Sequence, residues 1–356
     1  MLSHLFMQDI YQVLTVREVH SPTPRARTLV LAPQPGESLR YEPGQYLTLV
    51  HPQYGGEVRR SYSFNSTPVL HEPPAITVKR VDNGLFSRWL VDQIQVGDQV
   101  HTSGVGGFFT LPANPDDYDQ LILLAAGSGI TPIFSLLKTA LHAHPHLRVL
   151  LFYSNRSAAE TLFLVELEDL AQRFPRQLHL ELFYSDDPLL YRAHLHKELL
   201  ESLVKEHAAL VPDRTLAYLC GPLNYMRMGT YGLHEAGLPL SHIRRELFYT
   251  GADVRAPVLP PDTAPHRVRV RARGQLHELL VQYPDTILQA AKRQGLHLPY
   301  SCEVGQCGNC AVRCTQGRVW MAANEVLTDR ELARGLVLTC TGYPVGGEVE
   351  LDFDSH

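Results

Sequence analysis

Four cysteines set the tightest limit on what this chain can become. Cys302, Cys307 and Cys310 stand as C-x4-C-x2-C, and Cys340 follows near the end of the chain. That is the spacing with which four thiolates hold a [2Fe–2S] cluster. The thiolates must converge on two irons from one tight loop, and Gly305 and Gly308 let its backbone fold close to the inorganic sulfides. Backbone N–H groups aimed at those sulfides then help set the potential. Taken alone, Cys307 and Cys310 would serve as half of a zinc site or as a redox pair. The added Cys302, the glycines and the distant Cys340 favour the cluster. Cys220 and Cys314 are left over, and Cys314 reads as a small buried hydrophobe.

The rest of the composition excludes several classes. Of the 356 residues, 44% are hydrophobic and 19% charged, an ordinary globular balance. A formal charge of -5 gives no basic footprint for nucleic acid. The eighteen histidines are scattered without an H-E-x-x-H motif and read mostly as surface residues. The longest apolar stretch, Leu121 to Leu137, is interrupted by Gly127-Ser128-Gly129 and Pro132. It reads as strand, turn and helix start, so no membrane insertion is expected. The start, Met1 to Met7, lacks the basic region and cleavage site of a signal peptide. Clustered cysteines without an export signal point to metal or redox chemistry, and the expected compartment is the cytoplasm.

Organisation follows from changes of pattern. The first third, residues 1–115, carries short β-branched runs (12–19, 27–31, 46–50, 75–81) between turn clusters, with one helix expected over 85–93. Strands at this spacing predict a closed antiparallel β-barrel. From 116 to 250 strands alternate with helices: strands at 120–126, 148–154, 178–185 and 216–220, helices at 132–142, 160–173 and 194–206. That alternation predicts an α/β doubly wound parallel sheet. Residues 251–265 hold Pro257, Pro260, Pro261 and Pro265, a semi-rigid linker. Beyond it, 267–273 alternates Arg with apolar residues as an amphipathic strand. A strand at 278–281, a helix at 286–294 and the cysteine loop follow.

At this point a resemblance becomes plain. Residues 266–356, from Leu298-Pro-Tyr-Ser-Cys302 through Val337-Leu-Thr-Cys340, resemble a plant-type ferredoxin, which implies a β-grasp fold and assigns Cys302, Cys307, Cys310 and Cys340 to the cluster. Arg60-Ser61-Tyr62-Ser63 resembles the R-x-Y-S element of ferredoxin–NADP reductase-like proteins. A flavin dinucleotide needs a cation for its pyrophosphate, an aromatic face for its ring and a hydrogen-bonding group near its reactive nitrogen. The resemblance gives these tasks to Arg60, Tyr62 and Ser63. On its own the tetrapeptide reads more readily as a strand with alternating polar residues. Thr77-Val78-Lys79-Arg80 and Gly84-Leu85-Phe86-Ser87 follow where that family places backbone contacts to the ring and then the pyrophosphate. Ser87 is expected to open a short helix whose N–H groups favour phosphate, and the element implies FAD over FMN. Val105 stands where the family has proline and is expected to alter only a turn.

Gly127-Ser128-Gly129-Ile-Thr131-Pro132 follows a buried strand and opens a helix, as a pyrophosphate-binding turn does. It is similar to the NAD(P)-binding turn of the same reductases, with Thr131 expected near nucleotide and flavin alike. Arg156, after the second strand, lies where the family reads the adenosine ribose. A guanidinium can grip a 2′-phosphate, which favours NADPH over NADH, and the sequence offers no acidic residue immediately at that strand end; a solvated surface Arg is the other reading. Cys220-Gly221-Pro222 with Met226 resembles the C-G-P-x-x-M turn beside the nicotinamide; without the family, Cys220 is a buried strand-end thiol. Glu246-Leu-Phe248 resembles the closing element of the domain, with Phe248 placed to shield the flavin.

The order flavin barrel, nucleotide domain, ferredoxin resembles the reductase subunits of phenylacetyl-CoA epoxidase and related bacterial oxygenases. The resemblance implies electron flow from NAD(P)H to FAD, then to [2Fe–2S], then to a partner oxygenase, with Tyr62, Ser63 and Cys220 at the hydride-transfer site. Plant-type clusters, at about −400 mV, are low enough to reduce oxygenase metal centres. A diaphorase-type enzyme with a small acceptor such as a quinone, and a redox-sensing binding protein, are the alternatives. Residues 266–356 hold ten Lys/Arg and ten Asp/Glu, basic early (267–273) and acidic late (348–354). Either set could dock a partner or simply face solvent.

Overall fold

The computed structural model of the protein describes residues 11–53, 56–82, 84–208, 210–248 and 259–355. The chain divides after Phe248 into two compact units. Part of the expected linker, 251–258, and the first ten residues lie outside the described residues.

The first unit opens with an antiparallel sheet of six strands: β1 (Gln12–Thr23), β2 (Ala26–Pro33), β3 (Tyr46–Gln53), β4 (Gly56–Ser63), β5 (Ala75–Lys79) and β6 (Gln99–Gly106). Their order is β4-β3-β6-β1-β2-β5, and a bridge between Phe64 and Ile76 closes the two ends into a barrel. Leu14, Leu29, Leu47, Leu49, Phe64, Ile76 and Val78 fill its interior, capped by Phe86 and Leu90 of helix α1 (Leu85–Asp92). β6 escapes a strand reading of the sequence because it is polar and glycine-broken, and of β4 only 60–63 is legible as a strand; pairing on both sides of β3 determines them.

The same unit continues into a parallel sheet of β7 (Gln120–Ala126), β8 (Arg148–Asn155), β9 (Leu178–Tyr184), β10 (Thr215–Cys220) and β11 (Ile243–Glu246), in the order β11-β10-β7-β8-β9. Helices α2 (Ile130–Ala143) and α3 (Leu164–Arg173) bury one face of it. Helices α4 (Leu190–Ala193), α5 (Lys197–His207) and α6 (Leu223–Glu235) follow, and α5 and α6 cover the other face. The strand order reverses between β7 and β10, so the crevice at their carboxyl ends is the switch point where such sheets bind ligands. The helix expected from 160 begins at Leu164, because 158–160 forms a separate 3-10 turn.

The second unit holds a five-stranded sheet, β13-β12-β18-β14-β16, and a two-stranded one, β15-β17. Here β12 is His266–Ala272, β13 Gln275–Val281, β14 Ala311–Gln316, β15 Val319–Met321, β16 Leu336–Leu338, β17 Gly342–Pro344 and β18 Val349–Asp352. Helix α7 (Ile287–Arg293) starts on a reciprocal cap between Thr286 and Gln289, and a short helix α8 (Asp329–Ala333) precedes β16. Val268 and Val270 of β12 are buried while Arg267 and Arg271 face out, as the alternation predicts. β18 runs parallel to β12, which sets the late acidic residues against the early basic ones: Arg269 Nη2 lies 2.8 Å from Glu350 and 3.5 Å from Glu348. The charge segregation is therefore a feature of the sequence alone.

Candidate functional site

The crevice is built from two turns that touch. Gly127–Gly129 ends β7, and Cys220-Gly221 ends the neighbouring β10. A Cβ on Gly129 would lie 2.1 Å from the Cys220 carbonyl oxygen, so only hydrogen there lets the turns pack. Gly127 has φ +55° with no atom within 4 Å of where a Cβ would stand, so it faces open space. Thr131 is buried and donates to the Ser128 carbonyl at 3.1 Å, bracing the turn; Ser128 itself is half-buried. Pro222 precedes α6 and accepts the Met226 N–H at 3.0 Å.

Cys220 is fully buried, and burial, reinforced by the nearby Glu246 carboxylate, pushes its thiol well up. Register pairs Cys220 with Glu246 on β11. Ser63, at the end of β4, is also buried and donates from Oγ to Glu246 Oε2 at 3.0 Å. Burial pushes the Glu246 carboxyl up to about 8, against the lowering pull of that hydrogen bond. A hydroxyl from the barrel, a thiol and a protonatable carboxyl thus meet beside the glycine turns. The sequence motifs reach Ser63 and Cys220 and include Glu246 without a role for it. The signal for Glu246 lies in the charged end of a strand whose register partner is a buried thiol.

Around this point the barrel offers a cradle. Tyr62 packs edge-on to Phe86, with centroids 6.3 Å apart, and burial raises its hydroxyl. Just past β5, the Arg80 N–H donates to the Arg25 carbonyl just before β2, while the Ala75 carbonyl turns the other way to accept from the Asn65 N–H. By that alternation the peptide groups of Thr77 and Lys79 face the seam towards β4, whereas the Val78 side chain is core. Lys79 Nζ also reaches Glu160 at 3.6 Å. Arg60 is exposed and donates to its neighbour's carbonyl at 2.7 Å. Gly84 caps α1 and Leu85 is exposed. Ser87 does not open the helix as expected: it sits in the first turn, where its Oγ donates to the Gly84 carbonyl at 3.1 Å and accepts from the Val81 N–H at 3.2 Å. An exposed cation, a partly buried aromatic ring and peptide groups facing an open seam fit a flavin dinucleotide.

Arg156 is exposed at the end of β8. The adjacent strand brings in an acidic neighbour the linear sequence hides, since the Asp186 N–H donates to the Arg156 carbonyl at 3.2 Å. Phe248 is exposed, and it ends the described part of the unit.

In the second unit Cys302, Cys310 and Cys340 are buried and Cys307 half-buried. Hydrogen bonds from the Cys307 and Cys340 thiols hold the Cys302 thiol far below its usual range, helped by the Val304 and Gln306 N–H groups. Cys340 likewise lowers Cys310. The sulfurs therefore run in the order 307, 302, 340, 310, two pairs joined at the middle. A tetrahedral zinc site, with Zn–S about 2.3 Å, would bring every sulfur pair to about 3.8 Å. Among the described residues no three of these sulfurs lie within 4.8 Å of one another. The arrangement fits two irons and not one. Cys314 is half-buried, not buried, and donates to the Gln316 carbonyl at 3.4 Å, because its strand lies at an exposed turn.

Family models for an oxidoreductase FAD-binding domain, an oxidoreductase NAD-binding domain and a 2Fe-2S iron-sulfur cluster binding domain match residues 13–110, 123–230 and 270–345. The chain is 34% identical to a component of the 1,2-phenylacetyl-CoA epoxidase of Escherichia coli, over 97% of this chain and 98% of that one. It is 35% identical to the ferredoxin reductase component of 3-ketosteroid-9-alpha-monooxygenase of Mycolicibacterium smegmatis, over 96% of each. Among solved structures, phthalate dioxygenase reductase aligns with a TM-score of 0.60 at 23% identity, covering 97% of this chain and 99% of the other.

Proposed function

Since this chain belongs to the ferredoxin–NADP reductase-like oxidoreductases that carry a C-terminal [2Fe–2S] domain, we propose that it serves as the electron-supplying component of an oxygenase. It is an NAD(P)H-dependent oxidoreductase that passes electrons through FAD and the cluster. When bound, the flavin takes the two electrons of a hydride and releases them singly to a cluster that accepts one. We assign residues 1–115 to the flavin domain, 116–250 to the nucleotide domain, 251–265 to the linker and 266–356 to the ferredoxin domain.

The residues divide the work by what each can hold. Arg60 and the first turn of α1, from Gly84 to Ser87, would bind the flavin pyrophosphate. Tyr62 would cover the ring, with the peptide groups beside Val78 and Lys79 along its edge and Phe248 over its other face. Gly127 to Gly129 and Thr131 would take the nucleotide pyrophosphate. Gly221 and Pro222 would hold the backbone that carries Cys220 against the nicotinamide. Ser63 and Glu246 hold a proton between them, and Cys220 excludes water where the hydride crosses. Arg156 would meet the adenosine ribose or its 2′-phosphate, and the Asp186 backbone, bonded to that of Arg156, would bring a carboxylate to the same strand end for the free 2′-hydroxyl of NADH. Cys302 with Cys307, and Cys310 with Cys340, would each hold one iron. The two relatives named above serve oxygenases of a thioester and of a steroid, so the reductase need not recognise what its oxygenase oxidises. No helix among the described residues is long and apolar enough to cross a membrane. The cytoplasm, where NAD(P)H is supplied and thiols stay reduced, is the compartment we assign.

The two-plus-two run of cysteine sulfurs carries this reading, because it demands a one-electron carrier downstream of a hydride acceptor. An anaerobic titration with NADPH and then NADH, followed in the visible spectrum, tests it. The flavin bands bleach first and the cluster absorbance then falls. A cluster that stays oxidised would favour a small-molecule acceptor instead.

A further inference from the structure

Two of the eighteen histidines do not behave as isolated surface residues. His179 and Glu181 alternate onto one face of β9, the edge strand of the parallel sheet, and His207 ends helix α5. Their ligand atoms all lie within 4.8 Å of one another, the one such group of three or more His, Cys, Asp or Glu among the described residues. His179 Nε2 stands 3.2 Å from Glu181 Oε1. The His179 and His207 rings stack with centroids 3.8 Å apart and planes 23° from parallel. Arg192 Nη2 donates to the other carboxylate oxygen, Oε2, at 2.7 Å, so it orients Glu181 while leaving Oε1 towards the imidazoles. The three side chains are 35%, 18% and 25% exposed, open enough for an ion to enter.

We propose that His179, Glu181 and His207 form a binding site for a divalent d-block cation, with Zn²⁺ the best match to two imidazole nitrogens and a carboxylate oxygen. Water takes the fourth position, as it does where only three side chains are supplied. The lone pairs of two stacked rings run side by side and do not converge. Binding therefore turns the His207 ring out of the stack and draws the three donors to about 3.3 Å from one another, the spacing set by Zn–N distances of about 2.0–2.1 Å. His207 can make that turn because Ala208, which follows it, has already left the helical conformation. Arg192 serves as an outer partner that fixes the carboxylate, and its charge keeps the affinity moderate.

The position says what the ion does. His179 is near the start of β9, whereas nucleotides bind at the strands' carboxyl ends, about 17 Å away along a strand that ends at Tyr184 and rises about 3.3 Å per residue. The ion stands off the hydride path and clips the sheet edge to α5 beside the apolar cluster of Phe183, Leu200, Leu203 and Val204.

Calorimetric titration of the oxidised, chelator-washed holoprotein with ZnCl₂ tests the site. We expect one equivalent per chain, with affinity at least about tenfold weaker in His179→Ala, His207→Ala and Glu181→Gln. Glu206→Gln, which removes the carboxylate 3.7 Å from His207 outside the trio, leaves binding unchanged. Flavin and cluster absorbance report that each variant is folded and loaded. Should His179→Ala not fold, His207→Ala at the helix end decides the matter. The proposal fails if the wild-type protein binds no Zn²⁺ below about 100 µM, or if His207→Ala binds as the wild type does; the trio is then an ion-pair network alone.

Discussion

Gly129→Ala separates two roles that glycines play in the crevice. The backbone at Gly129 is right-handed helical, φ −61°, so alanine suffers no conformational penalty there. The obstacle is space: the new methyl would stand 2.1 Å from the Cys220 carbonyl oxygen, 2.5 Å from its carbon and 2.9 Å from the Gly221 nitrogen. All three are backbone atoms, and ordinary contact begins near 3.4 Å, so one turn must retreat by about 1.3 Å. Such overpacking costs about 1–3 kcal/mol of stability. The larger effect is on rate, because a misplacement of about 1 Å between reacting groups costs about a hundredfold. Stopped-flow reduction of the flavin by saturating NAD(P)H, under anaerobic conditions, should therefore slow by about two orders of magnitude in Gly129→Ala. Gly127→Ala is the counterpart. Its φ of +55° costs alanine about 1–2 kcal/mol, but nothing lies within 4 Å of the added methyl. That variant should bind NAD(P)H more weakly and keep its limiting rate within about tenfold. A folded, FAD-loaded Gly129→Ala that reduces its flavin within threefold of wild type would refute the argument that the Cys220 turn sets the hydride geometry.

Cys340→Ser should lose the cluster's absorbance and all reduction of a one-electron partner, yet retain flavin reduction by NAD(P)H; coupled loss of both activities would contradict the assignment. Glu246 binds its proton more tightly folded than unfolded, about 8 against an ordinary 4.5, so its contribution to stability is full below pH 4.5 and is lost as pH rises towards 8. Glu246→Gln should flatten that slope in pH-dependent unfolding and remove an inflection near pH 8 from the flavin-reduction rate. Arg156→Gln should raise KM for NADPH about tenfold or more and leave NADH nearly untouched, in keeping with charge-assisted bonds worth about 1.5–3 kcal/mol; equal effects on both donors would place Arg156 away from the 2′-position. Glu350→Lys, which breaks the 2.8 Å pair with Arg269, should cost at most about 1 kcal/mol and leave the salt dependence of partner reduction unchanged.

What could be read in the sequence was whatever depends on local chemistry. Glycines in the β7 turn, the C-x4-C-x2-C loop and the alternating Arg and Val of β12 each carry their constraint within a few residues, and along β12 the buried Val268 and Val270 alternate with the more exposed Arg residues as the pattern requires. β6 does not, because its strand character comes from pairing with β3 and not from its own side chains. Charge follows the same rule. Basic and acidic runs some eighty positions apart look segregated until the parallel pairing of β12 with β18 sets Arg269 against Glu350.

The same distinction explains the site. Ser63, Cys220 and Glu246 come from three strands and from both sheets of the first unit, so their meeting is a product of register and of sheet order. Cys220 and Ser63 stand in motifs that can be matched; Glu246 stands out only when β11 pairs beside β10 and half-buries its carboxyl against the Ser63 hydroxyl. A carboxyl at a strand end in sequence would titrate near 4.5, and the fold moves it to about 8, within reach of physiological pH. The proton that we propose Glu246 shares with Ser63 therefore rests on a group whose type is ordinary and whose environment is not. His179 and His207 make the complementary case: scattered in sequence, they become neighbours because an edge strand begins, and the helix that packs beside it ends, at the same corner of the sheet.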